Sequence, residues 1–126
     1  MGIDHVQLAC PPGGEAAGEA FYCGLLGLTR VTKPEPLASR GGCWFRGDGF
    51  ELHLGVEEGF QPARKAHPAL VAADVDALAA ALEAAGHDVR WSDELPGVRR
   101  FYVDDPFGNR LEVVEHAEEG HPHATN

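Results

Sequence analysis

Apolar and polar positions along the chain predict the same run of elements twice. Ile3-Asp4-His5-Val6-Gln7-Leu8-Ala9 reads as a strand, broken by Pro11-Pro12-Gly13-Gly14. Glu15 to Leu26 reads as a helix that stops at Gly27, a natural C-terminal residue. Leu28-Thr29-Arg30-Val31-Thr32 predicts a second strand. After the Pro34/Pro36 loop, Cys43-Trp44-Phe45-Arg46 and Phe50-Glu51-Leu52-His53-Leu54 predict two more, joined by a turn at Gly47-Asp48-Gly49.

The order then recurs. Ala66-His67-Pro68-Ala69-Leu70-Val71 is strand-like, with Pro68 arguing against a central position. Asp74 is a good N-cap for a helix from Val75 to Ala85, which Gly86 closes. Val75, Leu78 and Leu82 make its apolar stripe. Val89-Arg90-Trp91, Arg100-Phe101-Tyr102-Val103 and Arg110-Leu111-Glu112-Val113-Val114 follow as strands. The turn Asp104-Asp105-Pro106-Phe107-Gly108-Asn109 separates the last two. His5 and His67, Gly27 and Gly86, Arg30 and Arg90, and His53 and Glu112 recur at nearly one spacing. The expectation is an α+β chain of paired βαβββ modules, about 3–54 and 66–115, within one domain over 1–115. Gly55 to Lys65 is the expected connector and 116–126 a polar tail.

Length and composition fit that picture. A chain of 126 residues with 44% hydrophobic residues can bury a core without staples. Ten Lys and Arg against twenty Asp and Glu give a net charge of −10, which argues against nucleic acid and anionic membrane as partners. No transmembrane stretch or signal peptide is visible, and Gly2 lacks the Ser or Thr a myristoylation start needs at position six, which is Val6. Cys10, Cys23 and Cys43 cannot all pair and include no CxxC, which fits a reducing cytoplasm and small core residues.

Candidate chemistry lies on the first and last strands of each module. His5, His67, His53 and Glu112 occupy repeat-related places. In the last strands, His53 sits between Leu52 and Leu54 and Glu112 between Leu111 and Val113, so each polar side chain faces away from its apolar neighbours. Three imidazoles and a carboxylate suit Zn, Ni, Fe, Co or Mn as a divalent ion. Isolated histidines are more often structural than ligating, and the chain has seven. Glu51 shares a face with His53 and can replace it; Glu115 is a weaker rival to Glu112. Trp44 with Arg46, and Arg100 with Tyr102, share faces and are candidate substrate-binding pairs for a planar, anionic ligand; surface charge pairing is the alternative. Arg64-Lys65 reads as a solvated loop, the DPFGN segment as a turn without catalysis, and the tail's His116, His121 and His123 as adventitious metal binders.

Asp4-His5-Val6-Gln7-Leu8, Phe21-Tyr22 with Leu26-Gly27-Leu28, Ala66-His67-Pro68-Ala69-Leu70-Val71 and Asp105-Pro106-Phe107-Gly108-Asn109-Arg110-Leu111-Glu112 together resemble the vicinal oxygen chelate superfamily. This is the group of glyoxalase I, bleomycin resistance protein, fosfomycin resistance enzymes and extradiol dioxygenases. The resemblance covers about Ile3 to Glu115. It implies paired βαβββ modules forming a cup-shaped mixed sheet, metal ligands at His5, His67 and Glu112 with His53 as the fourth, and a homodimer. The cup then forms within one chain or between exchanged modules.

The expected function is therefore a cytoplasmic metal-dependent lyase or isomerase acting on a small molecule with vicinal oxygens. Glu112 is ligand and proton shuttle. The alternatives are a thiol transferase or dioxygenase of the same superfamily, and a drug- or metabolite-binding protein without catalysis. The charge of −10 suits a cationic drug, whereas the four-ligand set favours the enzyme.

Overall fold

The computed structural model describes residues 1–115. Two compact units emerge, one of Met1–Arg64 with Asp105–Asn109, the other of Lys65–Asp104 with the chain from Arg110 on. The first holds β1 (His5–Cys10), α1 (Glu15–Glu19), β2 (Thr29–Val31), β3 (Cys43–Gly47) and β4 (Phe50–Val56). The second holds β5 (Ala69–Ala72), α2 (Val75–Ala84), β6 (Arg90–Ser92), β7 (Arg100–Asp104) and β8 (Arg110–Glu115). Each is βαβββ, and each sheet is mixed. The orders are β1-β4-β3-β2 and β5-β8-β7-β6, with the first and last strands of each unit parallel and the other pairs antiparallel.

Alternation along the strands divides the faces of the first sheet. Phe45, Leu52 and Leu54 are buried on one side with Phe21 and Tyr22, whose ring stacks on Phe45 at 5.4 Å. The helix reaches this layer closely. A Cβ on Gly18 of α1 would come within 2.6 Å of Leu54 Cδ1, so glycine is what allows the approach. The predicted helix over Glu15 to Leu26 is regular only to Glu19 and then widens into a π-helical stretch, Ala20–Leu25. Its signature is Leu26 N–H donating to Phe21 O, five residues back. The wider turn leaves the adjacent Phe21 and Tyr22 both in the core. At Gly42 (φ +83°) a Cβ would lie 2.2 Å from the Leu54 carbonyl oxygen, and its N–H donates to Glu15 Oε2 at 3.0 Å. That bond is the main reason the Glu15 carboxyl sits below the usual range.

The turn Asp105–Asn109 anchors the first unit. Asp105 Oδ1 accepts the Phe107 and Asn109 N–H groups, and its Oδ2 accepts Tyr22 OH at 2.7 Å and Asn109 Nδ2 at 2.8 Å. Asn109 Nδ2 also donates to Ala9 O in β1. Burial, then the neighbouring Asp105 charge, push the Tyr22 phenol far above its ordinary value. Its folded pKa is raised, so the stability it contributes is complete below about pH 10 and is lost as pH rises further. Tyr22 should therefore ionise only as the fold is lost. Absorbance near 295 nm and far-UV circular dichroism, compared with Tyr22→Phe, check this; Tyr22 ionising while the circular dichroism stays native would contradict it.

In the second unit Phe101, Val103, Leu111 and Val113 form the buried layer with Val75, Ala79 and Leu82 of α2. Leu78, on the same stripe, is only partly buried, and Ala79 beside it is fully so. Asp74 caps the helix as expected, accepting Ala77 N–H at 3.0 Å. The fifth strand begins later than the sequence pattern suggests: His67 precedes β5 instead of lying in it. Pro68 has no N–H to donate, yet its carbonyl accepts Glu112 N–H at 3.0 Å, so pairing starts there. The predicted strand Val89–Trp91 is shifted to Arg90–Ser92. The tail with His116, His121 and His123 lies outside the described residues.

Candidate metal centre

In the first unit the side chains pointing away from Leu52 and Leu54 include His5, Trp44, Arg46, Glu51 and His53. His53 lies opposite Trp44 across the β3–β4 pair, and their rings stack at 4.2 Å and 7°. His5 stacks on the other face of His53 at 4.2 Å and 12°. This three-ring column explains why His53 is 5% exposed although it sits on the polar face. Its Nε2 donates to Glu51 Oε1 at 3.0 Å, and Glu51 Oε2 accepts from Arg46 at 3.3 Å. The bond from His53 is the chief cause that holds the Glu51 carboxyl below the usual range. His5 Nδ1 donates to Asp4 Oδ1 at 2.9 Å, so in the neutral ring Nε2 is a lone pair.

The second unit repeats the layout with different side chains. Tyr102 lies opposite Glu112 across the β7–β8 pair, as Trp44 lies opposite His53. Glu112 is 8% exposed. Its Oε2 accepts Arg100 Nη1 at 3.0 Å, and its Oε1 lies 3.1 Å from His67 Nε2. His67 Nδ1 donates to the Lys65 carbonyl oxygen at 2.8 Å. A carbonyl only accepts, so Nδ1 carries the proton and Nε2 of the neutral ring is a lone pair. That lone pair faces a carboxylate oxygen, an arrangement that calls for a proton or a cation between them. The donor set fits a divalent ion, and the outward Nδ1–H bond to a backbone carbonyl is the usual support for a ligating histidine. Tyr102 packs edge-on against His67 at 5.5 Å.

The sequence-derived candidates thus fall into two groups, His5 and His53 with Trp44 and Arg46, and His67 and Glu112 with Arg100 and Tyr102. Among the described residues no three His, Cys, Asp or Glu side chains form a single metal-holding cluster. Each unit by itself supplies a pair. Trp44 stacks on a candidate ligand and Arg46 binds Glu51. Arg100 is committed to the Glu112 carboxylate, and its buried Nε has no hydrogen-bond partner among the described residues. Sequence reasoning passed over Arg110, whose guanidinium lies 5.6 Å from the Tyr102 ring centroid. Its same-face, two-residue spacing from Glu112 is the signal that points to it.

Paired βαβββ units with a His or Glu on the first or last strand define a vicinal oxygen chelate type of fold. The chain belongs to the Glyoxalase/Bleomycin resistance protein/Dioxygenase superfamily, whose family model matches residues 2–113. It is similar to the crystal structure of a glyoxalase family protein from Bacillus anthracis, with 46% identity over 93% of this chain and 96% of that one and a TM-score of 0.88. Lactoylglutathione lyase from Agrobacterium tumefaciens shares 25% identity over 90% and 92% of the two chains, at a TM-score of 0.70. An antibiotic-binding protein from a Streptomyces species shares the fold, at 24% identity, 93% and 99% coverage and a TM-score of 0.68. No curated protein matches the sequence. Among the described residues no helix is long and apolar enough to cross a membrane.

Proposed function

We propose that this protein is a divalent-metal lyase or isomerase of the glyoxalase type, acting on a small molecule with adjacent oxygens. His5, His67 and Glu112 would hold the ion, with His53 as the fourth ligand. The observation that carries the reading is the His67–Glu112 pair, with Nδ1 of His67 2.8 Å from the Lys65 carbonyl oxygen and Nε2 3.1 Å from a carboxylate oxygen. His53 would enter the set as its Nδ1–H tautomer, with Nε2 freed from its bond to Glu51; with Glu51 in its place, the carboxylate gives up that bond instead. A bound Zn, Ni, Fe, Mn or Co ion would supply Lewis acidity toward the two substrate oxygens.

The chain's own residues do the rest. Arg100 fixes Oε2 of Glu112, so Oε1 is the oxygen that faces His67 and can take or return a proton. The working form is a cytoplasmic homodimer.

A flat ligand held without catalysis is the second reading, and the His5–His53–Trp44 column, a ready stacking surface, is what favours it. Elemental analysis separates the two. It is done on protein whose tail residues His116, His121 and His123 are changed to alanine, beside the same protein with His5→Ala and His67→Ala. About one divalent ion per site, lost with the two ligand substitutions, is the expected result. No retained ion after soaking with Ni, Zn, Mn, Fe or Co would leave the ligand-binding reading standing.

A further inference from the structure

The four arginines on the other short strands are each spent on a carboxylate: Arg30 on Glu19, Arg46 on Glu51, Arg90 on Asp104 and Arg100 on Glu112. Arg110 is different. Its cross-strand neighbour Asp104 is taken by Arg90 at 3.0 Å. Among the described residues, no carboxylate lies within ion-pair distance of Arg110, and its guanidinium makes no hydrogen bond. This happens in a chain with twice as many acidic as basic residues, 20 against 10. The half-buried guanidinium instead lies over Tyr102, 5.6 Å from the ring centroid, with Arg100 at 5.7 Å from the same centroid. Tyr102 OH likewise has no hydrogen-bond partner among the described residues.

Both unspent donors are on the sheet face that carries Glu112. Arg110 is two residues along β8 from Glu112, and Tyr102 lies directly across from it and against His67. A guanidinium and a phenol side by side match the oxygens of an anion, the guanidinium with its planar fork of N–H groups and the phenol with one O–H. Arg100 adds positive potential, its Nη1 being held by Glu112.

We propose that Arg110 and Tyr102 bind an oxyanion of the substrate, a carboxylate or a phosphoryl group, beside the oxygens that chelate the ion. The inference rests on the metal-enzyme reading and narrows its substrate class to anionic compounds. It also reverses the expectation that the overall negative charge selects a cationic ligand, because the local charge next to Glu112 is positive.

The test uses the metal-loaded protein and three chelators that share one pair of adjacent oxygens: catechol, 3,4-dihydroxybenzoate and 3,4-dihydroxyphenylphosphonate. Binding is read by calorimetry. The two anionic chelators should bind about tenfold tighter than catechol or better, and whichever leads identifies the anion. Arg110→Met should abolish that advantage and leave catechol binding unchanged. Arg110→Lys should keep part of it, and Tyr102→Phe should reduce it. Equal binding of all three by the wild-type protein, or an advantage that survives Arg110→Met, would overturn the proposal while leaving the metal reading intact. If no ion is retained and catechol does not bind, the metal reading has failed. Inorganic phosphate titrated into metal-free protein then decides. A shift of the Arg110 Nε–H resonance, absent from Arg110→Met, sustains the anion site, and no shift overturns it.

Discussion

Asp105→Ala is expected to lower the unfolding free energy by about 3–5 kcal/mol, a large share of the roughly 5–15 kcal/mol that holds a domain of this size. The carboxylate is 4% exposed and accepts four hydrogen bonds, from the Phe107 and Asn109 backbone N–H groups, Tyr22 OH and Asn109 Nδ2. Alanine leaves these donors without an acceptor in a space that water does not reach. Tyr22 is fully buried and has no alternative partner in the network. Asn109 keeps its bond to Ala9 O but loses the group that orients it. Tyr22→Phe removes one donor and should cost only about 1–2 kcal/mol. Urea or guanidinium denaturation measures both. A change under 1 kcal/mol for Asp105→Ala would show that the turn does not anchor the first unit.

Glu112→Gln is expected to weaken divalent-ion binding at least ~100-fold and to lower turnover on a vicinal-oxygen substrate by about 10²–10⁴-fold. The amide is nearly the same shape, so packing beside Tyr102 is preserved while the charge is lost. The substitution also strips Arg100 of its carboxylate in a place where its Nε already lacks a partner. A loss of stability should accompany the loss of metal. These two effects come apart in Arg100→Met/Glu112→Gln, which replaces the pair by neutral groups. Stability should recover in the double variant, and metal affinity should not. Competition against a chelator of known affinity measures the first quantity and thermal melts the second. Full affinity and full turnover in Glu112→Gln would remove Glu112 from the site.

The Glu112 expectation comes directly from the strand pattern, because a carboxylate between Leu111 and Val113 must face away from them. The same alternation puts His53 opposite Leu52 and Leu54, and the structure keeps both assignments. The order of elements along the chain was legible through the repeat of glycine stops and short apolar runs; the order of strands within each sheet was not. Local boundaries were less so. The π-helical stretch over Ala20–Leu25 answers to the demand that Phe21 and Tyr22 both reach the core, a tertiary requirement with no local marker. His67 looked like part of a strand, but Pro68 delays pairing until its own carbonyl.

The turn motif DPFGN was readable as a turn from Pro106 and Gly108. Its second task, receiving Tyr22 from 83 positions away, was not. Partnerships were the hidden layer of the candidate site as well. Glu51 was visible as a same-face rival of His53, yet only the fold shows the two sharing a hydrogen bond. Arg100 was singled out in the sequence with Tyr102, and Arg110 was passed over, although both lie on the face of Glu112. One is bound to that carboxylate; the other has no carboxylate partner among the described residues, Asp104 being bonded to Arg90 from a different strand.

By itself, then, the sequence determined the two βαβββ units and the faces on which His53 and Glu112 stand. Both follow from the two-residue period of strands and from local turn chemistry. Only the tertiary structure decided which groups the ring nitrogens of His5, His53 and His67 meet, which carboxylates are already engaged and which strand arginine has no carboxylate partner among the described residues. Those depend on distances between atoms far apart along the chain, and hydrogen bonds are made or lost within a few tenths of an ångström.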